Sequence, residues 1–393
     1  MKSVSSKASA YPSAEAQRRL AYFTERRDKI VSTIRELVEI ESPSDNKAAV
    51  DRLADAVAQK FSQLGGEVRI HPAKDFGNHL QVDFAGKSAK PVLLLGHYDT
   101  VYPLGTLANM PCRIMDNKLT GPGVLDMKSG IALMLHALPA LQAWHGALPR
   151  PVTVLLVSDE EVGSDSSRAI TESLAKKAAV VLVLEPSYGS QGAVKTARKG
   201  VGEYLVKVTG KASHAGLDFQ KGVNAILELA RQIEKISSFT NLKKGLTANV
   251  GIVSGGSRTN VVPAEASAQV DVRIARMKDA AGIDKKMRSL RPFHRKCKLE
   301  ITGGINRPPM ERTAGVAALY AQAVAIAHDL GWKLGEAAVG GGSDGNITAG
   351  LGIPTLDGLG GVGDGAHAPH EHILISELPR RAALLAGLIE RAD

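Results

Sequence analysis

Apolar residues recur every three or four positions in several long stretches of the chain. This spacing places apolar side chains on one face of a helix, so it predicts helices within residues 14–41, 46–64, 129–144 and 314–330. Gly65 and Gly66 end the second stretch, because glycine readily follows the last turn of a helix. Shorter apolar runs of a different kind separate these helices.

The shorter runs are rich in valine and leucine and do not alternate with polar residues. They occupy residues 91–95, 152–157 and 180–184. Continuous runs of this length are typical of strands buried on both faces of a parallel sheet. Strands that alternate with helices predict an α/β fold, in which a mixed, mainly parallel sheet is flanked by helices.

The pattern changes between residues 199 and 307. One helix of amphipathic spacing, at 223–236, is accompanied by strands in which apolar and polar residues alternate, at 204–209, 247–253 and 266–274. Such α+β patterning over roughly a hundred residues suits a separate domain.

The length of 393 residues also favours two domains, because one hydrophobic core rarely fills a chain of this size. We therefore predict a catalytic domain in two parts, residues 1–198 and 308–393. Residues 199–307 form the inserted domain.

Charge and composition exclude several classes of function. The formal net charge is +9, but no run of five or six basic residues concentrates it, so we interpret it as diffuse surface charge with a bias toward anionic substrates. Nucleic acid is therefore not an expected partner. Lys195, Arg198 and Lys199 are expected to lie on a solvated hinge face.

The sequence shows no sign of secretion or membrane insertion. Residues 1–19 are polar, and no uninterrupted apolar stretch reaches the length of a membrane span. Cys112 and Cys297 are far apart, which predicts neither a disulfide framework nor a thiolate zinc site. We expect a cytoplasmic protein that does not bind membranes.

Chemically active side chains follow each of the three buried runs. His97 and Asp99 come after the first run, Glu160 and Glu161 after the second, and Glu185 after the third. Ligands of open α/β sheets collect beyond the carboxyl ends of the strands. These groups are therefore expected to meet at one edge of the sheet.

Two further segments add groups of the same kind. Asp126 lies in a glycine-rich turn before a helix, and His367, His370 and His372 crowd near the C-terminus. Taken singly, such an aspartate is more often a helix N-cap, and such a histidine is more often structural. Together, imidazoles and several carboxylates suit zinc, with cobalt or manganese as substitutes. More than four ligands indicate two metals that share a bridging carboxylate.

Five motifs occur in order along the chain: GHYDTVYP, GPGVLDMKSG, SDEEVGS, LEPS and GAHAPHE. They resemble the ordered motifs of the dizinc aminoacylase/carboxypeptidase family of metallopeptidases, and look closest to those of bacterial glutamate carboxypeptidases. The resemblance covers residues 97–371. It implies that the insert is a ferredoxin-like lid and dimerisation domain, through which two copies form a homodimer.

The resemblance implies five ligands for two zinc ions per chain. Asp126 would bridge the metals, with His97 and Glu185 completing one site and Glu161 and His367 the other. Family members commonly read His-x-Pro-Asn-Glu in the last motif, which selects the first of the three neighbouring histidines. The other two stay open as alternatives.

The resemblance also implies the groups that act on the substrate. A hydroxide that bridges the metals would attack the carbonyl, and Glu160 would act as the general base that later protonates the leaving amine. Asp99 resembles the acid that orients His97 and raises its basicity. His214 resembles a histidine that reaches into the partner subunit's site and stabilises the oxyanion, although it could be incidental at a helix entry.

Four more residues match positions that contact the substrate in this family. Asn260 resembles a lid asparagine, and Gly342 lies in a glycine-rich loop that supplies backbone donors. Arg273 and Arg307 match positions where glutamate carboxypeptidases place basic groups for a substrate carboxylate, a role that suits a planar guanidinium. Each also has a simpler interpretation as a turn residue or a solvated charge.

We therefore expect a zinc-dependent metallopeptidase that cleaves an amide bond in a small peptide or N-acyl amino acid and releases a C-terminal amino acid. The alternative is an N-acyl amino acid deacylase of the acetylornithine deacetylase or succinyl-diaminopimelate desuccinylase type, which cuts the same kind of bond. A non-catalytic binding protein is disfavoured, because Asp126 and Glu160 are both present.

Overall fold

The computed structural model describes residues 14–87 and 90–391. The polar start of the chain, residues 1–13, for which no leader is expected, lies outside the described residues. Within them the helices are α1 (Ala14–Glu25), α2 (Arg27–Val38), α3 (Lys47–Gln63), α4 (Ser129–His145), α5 (Arg168–Ala175), α6 (Ala225–Ser237), α7 (Ala280–Arg288), α8 (Ala314–Asp329), α9 (Gly345–Gly350) and α10 (Leu378–Arg391).

The strands extend over the same two ranges. In chain order they are β1 (Glu67–His71), β2 (His79–Phe84), β3 (Val92–His97), β4 (Arg113–Met115), β5 (Lys118–Thr120), β6 (Val152–Val157), β7 (Val180–Val183), β8 (Val194–Arg198), β9 (Gly200–Thr209), β10 (Ser213–His214), β11 (Thr247–Gly255), β12 (Val261–Val262), β13 (Glu265–Ile274), β14 (Lys298–Arg307), β15 (Glu336–Val339), β16 (Thr355–Leu356), β17 (Gly363–Asp364) and β18 (His372–Leu374).

The chain divides into two compact units. The first comprises the described parts of Met1–Thr196, Arg312–Ala338 and Ser343–Asp393, and the second comprises Ala197–Glu311 and Val339–Gly342. The sequence predicts domain boundaries after residues 198 and 307, and these boundaries remain predictions.

A six-stranded sheet forms the centre of the first unit, with the order β1-β2-β6-β3-β7-β16. The last four strands are parallel, whereas β1 and β2 pair antiparallel at one edge. Successive residues of the parallel strands enter opposite cores: Leu94 packs into one apolar cluster and Leu93 into the other. The mixed, mainly parallel α/β sheet is thereby confirmed.

Helix α4 passes through the larger of these cores. The stretch Val124–His145, which contains α4, is long and apolar enough to cross a membrane by length and composition, but 83% of it is buried inside the protein. Its Gly130 lies so close to the chain at Leu184 that a Cβ there would stand 2.2 Å from the Leu184 carbonyl oxygen. It is packed as the core helix of a globular unit.

A small four-stranded sheet, ordered β17-β18-β5-β4, completes the first unit. Strand β5 leads directly into the turn that carries Asp126, and the β17–β18 hairpin encloses the loop 365–371. Because β18 pairs with β5, with His372 opposite Thr120, the hairpin loop is placed beside the Asp126 turn.

The second unit contains an antiparallel sheet ordered β11-β13-β9-β14. Chain order with the two helices is β9-α6-β11-β13-α7-β14, which is the ferredoxin-like βαββαβ arrangement. Alternate residues, such as Val206 and Val270, pack with Leu229 and Ile283 of the helices in one core. The α+β ferredoxin-like insert is therefore confirmed, although the sequence pattern predicted neither α7 nor β14.

The basic residues of the second unit correct the interpretation of the net charge as diffuse. Residues 276–298 contain nine lysines and arginines against two aspartates, and all nine are exposed. Two of the three basic residues expected on a solvated hinge face, Lys195 and Arg198, are instead buried. The excess charge is thus concentrated on α7 and on the residues directly before and after it.

Candidate metal centre

The carboxyl ends of three neighbouring strands place the first group of polar side chains. In the parallel pairs, His97 of β3 stands opposite Val157 of β6, and Leu95 of β3 stands opposite Val183 of β7. The residues that follow these ends, Glu160, Glu161 and Glu185, therefore emerge at the same edge of the sheet. The prediction of one shared edge is confirmed by this register.

One group of close contacts surrounds His97, which is 1% exposed. Its Nε2 lies 3.1 Å from Oδ1 of Asp126 and 3.2 Å from Oε1 of Glu185. Ligand atoms of His97, Glu160 and Glu185 lie within 4.8 Å of one another, as do those of His97, Asp126 and Glu161. Both adjacent glutamates therefore reach the cluster.

A second group forms around His367. Its Nε2 lies 3.2 Å from Oε1 of Glu161 and 3.5 Å from Oδ2 of Asp126. His367 has a φ of +63°, a left-handed conformation that is uncommon for a residue other than glycine and that often marks a functional constraint. His370 and His372 form no ion pair with a described residue, so the structure brings the first of the three histidines to the carboxylates.

These distances fit two metal sites that share Asp126. Its Oδ1 faces His97 and its Oδ2 faces His367, so the carboxylate is divided between two sets of ligand atoms. Two ligands of one tetrahedral zinc, each bonded at about 2.0–2.1 Å, stand roughly 3.3 Å apart, close to the observed spacings. Two imidazoles and three carboxylates are also a donor set that zinc accepts.

Burial and neighbouring charges shift the pKa values of these groups. Burial opposes protonation of His97, but three nearby carboxylates raise its pKa well above the ordinary value. Hydrogen bonds with Asp126 and Glu161 raise the pKa of His367 to about 10. The pKa of Asp126 is far below its usual range, since two imidazoles outweigh its burial, whereas burial raises the pKa of Glu161.

Asp99 lies beside His97 and also contacts the turn that follows β6. Nδ1 of His97 lies 3.0 Å from the backbone carbonyl oxygen of Asp99 and 3.5 Å from its carboxylate. The carboxylate accepts hydrogen bonds from the Ser44 hydroxyl and from the backbone N–H groups of Glu160 and Glu161, at 2.7, 3.3 and 3.2 Å. Asp99 therefore fixes the turn that carries both glutamates.

The far side of the same turn is also held by a carboxylate. The Ser164 hydroxyl donates to Oδ1 of Asp344, and the Ser166 hydroxyl donates to Oδ2 of Asp159 at 2.7 Å. Asp159, Ser164 and Asp344 are buried, whereas Ser166 is exposed. The two glutamates are thus presented from a rigid turn rather than from a free loop.

In the second unit the structure brings two predicted residues together. His214 and Val261 pair across a short ladder, and the backbone N–H of Ala215 donates to the carbonyl of Asn260 at 2.9 Å. Nδ1 of the exposed His214 accepts from the N–H groups of Gly216 and Leu217, both at 3.1 Å. A neutral His214 therefore carries its proton on Nε2, which can donate outward.

The two arginines proposed for substrate lie in one row of the antiparallel sheet. Arg273 and Arg307 stand opposite Val201 from its two sides. Asp271, two residues before Arg273 and on the same face, binds its guanidinium through Nε at 2.9 Å and Nη2 at 2.8 Å. Arg273 is therefore held in place and does not extend freely into solvent.

The glycine-rich loop is held from within the second unit. Nη1 of Arg198 donates to the carbonyls of Gly341 and Gly342, at 3.2 and 3.1 Å. This contact explains why Arg198 is buried, contrary to expectation.

The sequence patterns do not single out Glu371, yet its carboxylate is fully buried beside Asp126. Its position in the last motif, four residues after His367, is the feature of the sequence that could have indicated a role for Glu371. Tyr102 and Ser44 were missed as well, since a tyrosine or serine near a strand end carries no special pattern.

Comparisons of the sequence find related proteins. Residues 93–391 match the model of peptidase family M20/M25/M40. Carboxypeptidase G2 from a Pseudomonas species is 32% identical over 377 residues, covering 93% of this chain and 90% of the relative. Acetylornithine deacetylase from Salmonella arizonae is 29% identical over 262 residues, covering 63% of this chain and 67% of the relative.

Solved structures share the fold. Aminopeptidase PepT from Bacillus cereus superposes with a TM-score of 0.76 at 24% identity, covering 93% of this chain and 98% of that one. A Bacillus subtilis protein described as a dinuclear metal binding peptidase superposes with a TM-score of 0.69 at 14% identity, covering 93% of this chain and 98% of the other.

Proposed function

The chain belongs to peptidase family M20/M25/M40 and is a metal-dependent hydrolase, and from this premise we propose that it is a dizinc carboxypeptidase that releases a C-terminal amino acid. The observation that carries the two-metal part is the divided carboxylate of Asp126, with one oxygen toward His97 and the other toward His367. When bound there, two zinc ions would supply Lewis-acid polarisation and lower the pKa of a bound water.

The side chains around this centre suit the remaining steps of amide hydrolysis. Glu160, held through its backbone by Asp99, accepts the proton of the attacking water and passes it to the leaving amine. Glu161, which contacts His367, is the ligand of the pair. The outward Nε2–H of His214 is the donor for the charge that develops on the substrate oxygen.

The row formed by Arg273 and Arg307 is the proposed site for the substrate carboxylate. Residues on either side of one strand are roughly 10 Å apart, a span that two arginine side chains can close around one carboxylate. Asn260, beside His214, and Gly342 complete the substrate contacts that we propose. Relatedness to carboxypeptidase G2 supports this substrate class, and relatedness to acetylornithine deacetylase supports deacylation as the alternative.

We propose that two copies associate through the second unit. Strand β11 is an edge of its sheet, and its Ile252 and Val253 are 57% and 56% exposed. Ile226 and Leu227 at the start of α6 are also exposed. An apolar edge strand favours pairing with another strand, and a second copy offers an identical one.

A hydrolysis screen tests the substrate. N-acyl and peptidyl amino acids that differ in the C-terminal residue are compared with matched amides that lack the free carboxylate. A carboxypeptidase should lose most of its kcat/KM on the amides, and Arg273→Met should lower activity on the acids selectively. Equal turnover of acids and amides would refute the carboxypeptidase, and preference for short N-acyl groups over peptides would identify a deacylase.

Mixed dimers test whether His214 acts across the subunit interface. His214→Ala and Glu160→Ala are each expected to be inactive. In their heterodimer, one of the two sites combines an intact Glu160 with an intact His214 from the other copy. Random pairing makes half of the dimers mixed, so about a quarter of wild-type activity should return on co-expression. No recovery despite mixed dimers would refute action in trans.

A further inference from the structure

We infer that Glu371 is a positioning residue that joins the three ligand-bearing segments of the metal centre and thereby sets its affinity for metal. This inference rests on the metal centre proposed above, but not on the substrate proposed for it. The segments are the end of β3 together with the residues that follow it, the turn before α4, and the hairpin loop 365–371.

The first set of contacts fixes the turn that carries Asp126. Oε1 of Glu371 accepts from the backbone N–H groups of Leu125 and Asp126, at 2.7 and 3.0 Å, and Oε2 accepts from the N–H of Gly123 at 3.2 Å. Glu371 is 0% exposed. Its carboxylate therefore determines where the backbone of the bridging aspartate lies.

The second set reaches the segment that carries His97. The Tyr102 hydroxyl lies 2.6 Å from Oε2 of Glu371 and 3.1 Å from the carbonyl oxygen of Ala368. Tyr102 follows His97 by five residues, and Glu371 follows His367 by four. One carboxylate thus connects three segments that are separated along the sequence, each of which carries one ligand.

The chemistry of the contacts requires a carboxylate. Four donors converge on its two oxygens, three from the backbone and one from a phenol. A carboxamide of the same shape has one oxygen, and its NH₂ group would face donors on the other side. Since Glu371 is fully buried, the backbone donors displaced from it would have no substitute partner and the three segments would shift apart.

Glu371→Gln is the direct test, measured by zinc affinity. Purified protein is stripped of metal and titrated with zinc against a chromophoric chelator, and circular dichroism reports the fold. Loss of an outer hydrogen-bond partner of a ligand weakens metal affinity by roughly 10–100-fold, so we expect a loss of that size with the secondary structure unchanged.

Glu228→Gln provides a matched control within the second unit. Glu228 is also a buried glutamate that accepts two backbone N–H groups, those of Phe293 and His294, at 2.9 and 2.8 Å. The control loses the same kind of contact without touching the metal centre. It should keep the zinc affinity of the wild type, and an equal loss in both variants would show that general destabilisation is responsible and overturn the inference.

Tyr102→Phe keeps the inference testable if Glu371→Gln does not fold. It removes one of the four donors and leaves the backbone contacts, so zinc affinity should fall severalfold. If both variants fold and both bind zinc as tightly as the wild type, the inference is overturned. If only Tyr102→Phe folds, wild-type zinc affinity in that variant overturns it. Failure of the carboxypeptidase screen would leave this zinc measurement unaffected, whereas a wild-type protein that binds no zinc would overturn both.

Discussion

Replacement of Arg381 by methionine should destabilise the first unit severely. Arg381 lies in α10 and is fully buried, and its guanidinium donates to the carbonyls of Gly360 and Gly192, both at 2.9 Å, and to that of Gly358. Burial lowers the pKa of Arg381 to about 9, which leaves it charged at neutral pH. Arg381→Met keeps a similar length of side chain and removes all three donors.

The expected magnitude follows from these bonds. A hydrogen bond from a charged group contributes about 1.5–3 kcal/mol, and a buried carbonyl left without a donor costs about 1–3 kcal/mol. Relief of the buried charge and added apolar contact offset part of the loss. We therefore expect the free energy of unfolding to fall by about 3–6 kcal/mol, a large share of the roughly 5–15 kcal/mol of a typical domain.

The same bonds connect Arg381 to a proposed metal ligand. The N–H of Gly360 donates to the backbone carbonyl of Glu185 at 2.8 Å, and the N–H of Leu359 donates to that of Val183 at 3.1 Å. Arg381 thus holds the chain that runs beside Glu185. Arg381→Met should therefore weaken zinc binding in protein that is still folded.

Urea unfolding of metal-free protein measures the first effect, and chelator competition measures the second. Arg380→Met is the matched control, since Arg380 neighbours Arg381 in α10 but is partly exposed, pairs with Glu377 and stacks 4.6 Å from the ring centre of Trp332. It should cost about 1 kcal/mol or less. If the two variants lose equal stability, the argument from buried carbonyls is wrong.

The other predictions concern the metal centre itself. Glu160→Ala should retain zinc and lose most turnover, whereas Asp126→Ala should lose zinc as well; equal metal loss by elemental analysis would show that base and ligand are misassigned. The raised pKa of His367 makes its contribution to the metal-free fold complete below pH 6.5 and lost as pH rises through about 10, so urea unfolding should show declining stability over that window. His367→Gln should weaken this dependence of stability on pH. An unchanged dependence would show that His367 is not the group that titrates. Asp99→Asn should reduce kcat more than zinc affinity, because it loosens the turn behind both glutamates; a purely metal-binding defect would contradict this.

The parallel core and its strand ends could be predicted because their physics is local. Runs such as 152–157 are buried on both faces, so all their positions except Thr153 are apolar, and the polar residues that follow stand out. The sequence pattern did not predict strands β1 and β2, for opposite reasons. β1 is an exposed edge, and β2 buries Gln81, which donates to Asp83 at 2.6 Å, so neither shows a strand-like apolar pattern.

The supporting residues of the centre could not be predicted because their partners are distant in sequence. The residues that neighbour Glu371 in the sequence do not indicate that its carboxylate binds the backbone of Asp126. Likewise, those that neighbour Arg381 do not indicate that its guanidinium binds three backbone carbonyls. The basic surface around α7 could have been found from the sequence, because all its lysines and arginines lie close together in the chain. The buried residues Ile283 and Met287 interrupt them, so no long basic run appears.

The contact between Tyr102 and Glu371 has a consequence for how the protein is made. The two residues are 269 positions apart, so Glu371 does not exist until 269 more residues have been translated after Tyr102. At roughly 5–20 residues per second, that interval is about 15–50 seconds. A metal ion that meets the nascent chain during this time finds ligands whose loops are not yet joined, so we expect the proposed metal centre to load after Glu371 has been made.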